Sequence, residues 1–178
     1  LKKIKELYHL MENKLIRCYK LSKWNIVTVS FYILLSFFLW FYRFENKFNP
    51  KETLFFYGFG TQFFIYGFQY RALRNFNYFL IWIVIAIFHF CIFLAIKDLP
   101  ELAWKDGRSV AIVLRNTIMS LLLFQSLRYI SLKLQDKELV VPSKNSTIDA
   151  LDGRKVTTID TICFIIYVIV TLFFIIKI

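Results

Sequence analysis

Gln62 and Gln69 stand in an uncharged, oily stretch from Thr53 to Tyr70, and Arg115 with Asn116 interrupts a second such stretch from Ser109 to Leu127. An amide or a guanidinium is costly against hydrocarbon and is tolerated where it faces protein or a wet cavity. These four side chains are therefore the candidates for a cavity or pore lining. Arg115 would offer a positive site for an anion or a partner's carboxylate, unless its long stem simply carries the charge to a headgroup layer. Gly58, Gln62, Tyr66 and Gln69 share one helical stripe, and Thr53, Gly60, Gly67 and Arg74 share another at intervals of seven. Small residues let a neighbouring backbone come close, which makes Gly58, Gly60 and Gly67 candidates for helix packing.

Other chemistry is thinly represented. His89 lies among Phe88, Phe90 and Cys91, and the second histidine, His9, is far away in a basic segment. That spacing does not describe a metal site, and His89 reads as a buried imidazole making one interhelical hydrogen bond. No zinc-protease, phosphate-loop, nucleophile-elbow or calcium-loop motif occurs, and no cofactor is implied. Asp98, Glu101, Asp106, Asp149 and Asp152 are scattered over two loops, which argues against an interfacial lipid-modifying enzyme, since such an enzyme needs converging acids and bases. No Asp or Glu interrupts the apolar stretches, which argues against proton- or cation-coupled transport. Cys18, Cys91 and Cys163 are odd in number and lack C-x-x-C spacing, so no disulfide framework follows.

These residues must be positioned by helices in a bilayer. Of 178 residues 58% are hydrophobic and 20% aromatic, with a mean hydropathy of +0.54, too oily for an ordinary soluble domain. The sequence predicts an all-α integral membrane protein with about five transmembrane helices of about 20 residues each. The spans are 24–42, 53–70, 75–96, 109–127 and 161–176. The first ends in a run of aromatic residues without a small-residue cleavage pattern, and so reads as a signal anchor. Before it, Leu1, Ile4, Tyr8, Met11, Leu15 and Cys18 recur at three and four, one stripe of a basic amphipathic helix over residues 1–23 that lies on an anionic leaflet or packs on a partner.

The segment 109–127 decides the threading. If it spans, with the amino terminus cytosolic and the carboxyl terminus outside, 15 of the 23 Lys and Arg lie on the inner side, as the positive-inside rule requires. If it lies at the surface, the excess moves outside and the rule is violated. The connector 128–158 is then a cytosolic loop. Its β-prone pieces Glu138–Val141 and Lys155–Thr158 suggest a small hairpin, while Thr157 and Asp160, three apart before an apolar run, fit a capping box.

The net charge of +11 points to anionic lipid headgroups rather than to nucleic acid, with Arg71, Arg74 and Arg128 as an inner basic rim. The resulting expectation is a small non-enzymatic polytopic protein of a bacterial inner or organellar membrane. It would be a self-associating pore or sensor-type component, or else an accessory subunit of a larger membrane complex, with a cytosolic face open to lipid or a soluble partner.

Overall fold

The computed structural model describes residues 16–43, 49–104, 107–142 and 153–176. Within them the chain is all-α, with five helices: α1 (Lys23–Arg43), α2 (Pro50–Gln69), α3 (Phe76–Ile96), α4 (Ile112–Gln135) and α5 (Thr158–Ile176). Single 3-10 turns, Ala72–Arg74 and Pro100–Leu102, lie between α2 and α3 and between α3 and α4. α3 is long and apolar enough to cross a membrane, and Lys23–Phe38 and Thr158–Phe174 are shorter apolar stretches.

The helix starts follow from local chemistry. Before α2, the Asn49 side chain accepts the Lys51 N–H at 3.1 Å and Pro50 occupies the first turn, where its missing N–H matters least. Asn75 does the same for α3, accepting from the Asn77 N–H at 3.1 Å. At α5, Thr157 Oγ1 accepts the Asp160 N–H at 3.3 Å while Asp160 accepts the Thr157 N–H at 2.9 Å. This is the reciprocal capping box that the spacing predicts. α4 ends where Asp136 adopts φ 55° and its N–H closes on the Leu132 carbonyl at 3.1 Å, a left-handed position that Asp tolerates better than most residues.

α4 packs against α2, α3 and α5 and is the centre of the bundle. Its buried side chains Val113, Leu114, Leu121, Phe124 and Leu127 face inward. The larger core joins Tyr66, Trp82, Phe124 and Tyr167, with the Tyr66 and Tyr167 rings stacked at 3.9 Å. A smaller core of Ile96, Leu102, Val110, Ala111 and Leu114 closes the end between α3 and α4.

Three expectations are corrected here. The segment 16–22 is extended rather than helical, because it pairs with the α2–α3 turn: the Phe76 N–H donates to the Arg17 carbonyl at 2.9 Å, and Asn75 exchanges two bonds with the Tyr19 backbone. Residues 1–15 of the proposed amphipathic helix lie outside the described residues. The helix expected over 109–127 begins at Ile112 and continues to Gln135, since Arg128, Ser131 and Gln135 all find protein partners and the charge that ends the apolar run does not end the helix. Finally, Glu138–Val141 and Lys155–Thr158 are not paired as strands of a hairpin among the described residues: Lys155 is a single bridge position and Thr158 already belongs to α5. Arg154 instead bonds the Glu138 carbonyl at 2.8 Å, and Leu139 and Val140 are buried against the bundle.

Candidate functional site

The polar side chains of the apolar helices converge at one level of the bundle, around His89 of α3. Its Nε2 lies 2.8 Å from the Tyr57 hydroxyl of α2 and 3.4 Å from the Tyr32 hydroxyl of α1, and its Nδ1 lies 3.2 Å from Thr117 Oγ1 of α4. One imidazole thus ties four helices. Around it, Ser36 donates to the Tyr32 carbonyl and Thr61 to the Tyr57 carbonyl, both at 2.7 Å. Their oxygens are then free only to accept, Ser36 from Tyr57 at 2.7 Å and Thr61 from Tyr32 at 2.9 Å. Tyr57 has no second proton, so His89 donates from Nε2 and accepts at Nδ1 from Thr117. Hydrogen-bond bookkeeping assigns the Nε2–H tautomer.

The expectation of one interhelical hydrogen bond for His89 is therefore too small, since both nitrogens are engaged. The missed partners carry a legible signal. Tyr32 with Ser36, and Tyr57 with Thr61, are hydroxyl pairs four apart, which places each pair on one helix face.

Gln62 and Asn116 are fully buried, and each donates to a backbone carbonyl on another helix or its cap. Gln62 Nε2 reaches the Val113 carbonyl at 2.9 Å and Asn116 Nδ2 reaches the Phe174 carbonyl at 3.0 Å. Gln69 is not with them. It sits about two turns further along α2 and accepts from the Tyr78 hydroxyl at 2.7 Å. Arg115 lies over the Phe93 ring at 5.8 Å and touches Asn116 Oδ1 at 3.5 Å.

The glycines separate sharply. A Cβ on Gly58 would fall 2.8 Å from Val113 Cβ and closer still to its methyl group, so the α2–α4 crossing needs this glycine. A Cβ on Gly60 or Gly67 would meet nothing within 4 Å among the described residues. Packing among the described residues thus uses the stripe of Gly58, Gln62 and Tyr66, all buried, rather than Gly60 and Gly67 of the sevenfold line.

The basic rim has internal counter-charges. Arg128, 1% exposed, forms a two-pronged pair with Glu138 at 2.8 and 2.9 Å, and Arg74 and Arg17 approach the same carboxylate at 3.7 and 3.6 Å. Arg71 is exposed at the same turn. Beside them Asp160, fully buried, accepts from Arg154 at 2.8 Å, from Thr157, from Gln135 and from the Val140 N–H at 3.3 Å. Four guanidinium groups and two carboxylates therefore join the α2–α3 turn, the end of α4, the start of α5 and the segment before α1. In the sequence Asp160 stood out only as the cap partner of Thr157 and Glu138 only as the start of a β-prone piece, since their charged partners are distant in sequence or lie on other elements.

Comparison with protein-family models, curated proteins and solved structures finds no match to this chain.

Proposed function

We propose that this chain is a small non-enzymatic polytopic membrane protein, with all five helices crossing the bilayer and the guanidinium-rich end in the cytosol. The observation that carries the reading is an inverted polarity. Thr61, Gln62, His89, Asn116, Thr117, Ser120 and Thr171 are buried, while Phe31, Leu34, Phe68 and Val84 are about two-thirds exposed or more, at 67%, 67%, 71% and 65%. A soluble bundle would place these groups the other way round, whereas lipid is a good solvent for the outer face and interhelical hydrogen bonds suit the inner one. The gathering of Arg17, Arg74, Arg128 and Arg154 at one end agrees with the positive-inside rule.

Within that frame the protein acts as a self-associating pore or sensor-type component whose basic end meets anionic lipid or a soluble partner. Gln62, Gln69, Arg115 and Asn116 remain its candidate lining. The test is sizing in mild detergent together with Gln62→Leu, Gln69→Leu and Arg115→Leu in the full chain. A defined multimer and altered activity with retained membrane insertion are expected, and a monomer with unaltered activity in all three would refute the reading. A second reading, an accessory subunit of a larger membrane complex, is favoured by the backbone bonds of Gln62 and Asn116, which suit helix clamps rather than open lining groups. Co-purification of a stoichiometric foreign subunit in the same sizing experiment would select it.

A further inference from the structure

Three buried polar atoms of α2, α4 and α5 have no hydrogen-bond partner among the described residues: Gln62 Oε1, Ser120 Oγ and Thr171 Oγ1. All three residues are 1% exposed or less. Gln62 Nε2 is committed to the Val113 carbonyl, so the amide oxygen must point elsewhere. Ser120 and Thr171 sit beside the Tyr167 hydroxyl without reaching hydrogen-bond geometry, and Tyr167 itself donates to the Gln62 carbonyl at 2.9 Å. Neither hydroxyl falls back on the carbonyl one turn earlier, the usual refuge of Ser and Thr inside a helix.

Orphaned groups of this kind are rare in buried positions, and internal water is their common partner. We propose that this junction is a binding site for one water molecule, held by Gln62, Ser120 and Thr171 around the Tyr167 hydroxyl. The donor and acceptor inventory matches such a guest: it accepts the Ser120 and Thr171 protons and donates to Gln62 Oε1, with its second proton left for the Tyr167 oxygen, whose own proton is in use. A sodium ion would find oxygens but no use for the hydroxyl protons, and this cluster contains no carboxylate to offset a buried charge. The site would make α5 depend on hydration for its attachment, because Tyr167 and Thr171 are on α5 while Gln62 and Ser120 are on α2 and α4. It stands on the geometry of these three helices alone, so it can fail or succeed independently of the pore or sensor reading.

The test is X-ray hydroxyl-radical footprinting of the full chain in mild detergent and 18O-labelled water, which oxidises side chains next to bound water. Tyr167 is expected to be labelled severalfold faster than Tyr78, which is equally buried but bonded to Gln69. Labelling at the Tyr78 rate would overturn the proposal. Ser120→Ala and Thr171→Val are each expected to slow Tyr167 labelling and lower the thermal midpoint. A midpoint raised by either change would indicate dry, merely unsatisfied hydroxyls and overturn it. So would a midpoint that rises with sodium chloride but not with choline chloride, which would put a cation in the site.

Discussion

Gly58 lies against Val113 so closely that no side chain fits between them, and one turn later Gln62 uses the same approach to reach the Val113 carbonyl. A missing Cβ and an amide thus act as one device, the first setting the distance at which the second can bond. Gly58→Ala should destabilise the bundle by about 1–3 kcal/mol, the usual effect of overpacking. Gly60→Ala should be neutral or stabilising by up to about 1 kcal/mol, since it adds helix propensity and meets nothing within 4 Å among the described residues. Thermal unfolding in mild detergent measures both, and equal effects would contradict the assigned crossing.

Removing His89 should matter more than removing any one of its partners. His89→Leu leaves Tyr57 and Thr117 each short of a bond on different helices, at about 1–3 kcal/mol per buried orphan. Tyr57→Phe leaves His89 with Thr117. In a double-mutant cycle the two changes should be clearly non-additive, as contacts within one network are. Additivity would show that the hydroxyl and the imidazole do not interact.

Glu138 is the shared counter-charge of Arg17, Arg74 and Arg128. Glu138→Gln keeps the shape and deletes the charge beside a buried guanidinium, a change that typically costs about 3–5 kcal/mol. The loss should appear locally, as faster amide exchange at Leu139 and Val140, both buried beside the pair. Unchanged exchange there would mean that the segment is held without the Glu138 charge, by its apolar side chains and its backbone bonds to Asp160 and Arg154.

The cap of α5 gives a smaller, cleaner effect. Thr157→Ala removes one half of the reciprocal pair with Asp160 and should lower stability by about 1 kcal/mol. Thr157→Ser should restore most of it, and stability measurements on both variants check the assignment.

The threading is tested by reporters. One inserted at the Arg71–Arg74 turn should report the cytosol and one fused after Ile178 the opposite side. A shared compartment would exclude an odd number of crossings, and with it the five-span reading.

Much of the local structure was readable because its causes are local. The Thr157-x-x-Asp160 spacing announces a helix start that the structure contains, and the oily runs announce helices at α2, α3 and α5. Where the cause lies across the fold, reading failed. The end of α4 depends on Glu138, ten residues beyond Arg128, and on Asp160 beyond that. The extended course of residues 16–22 depends on Asn75, more than fifty residues away. Spacing alone could not choose between Gly58 and Gly60, since the choice belongs to Val113. The four-helix node around His89 was missed for a related reason: the pairs Tyr32 with Ser36 and Tyr57 with Thr61 mark two polar helix faces, but not that both faces meet His89.

The Asp160 carboxylate has a temporal consequence. It anchors Val140, Gln135, Thr157 and Arg154 at once, yet a chain emerging amino end first makes Gln135 and Val140 well before Asp160 exists. The pairs of Glu138 with Arg17, Arg74 and Arg128 need nothing from α5 and can close first, whereas the bonds of Gln135 and Val140 wait until the beginning of α5 has been made, so the guanidinium-rich end assembles in two steps and only the second is timed by α5.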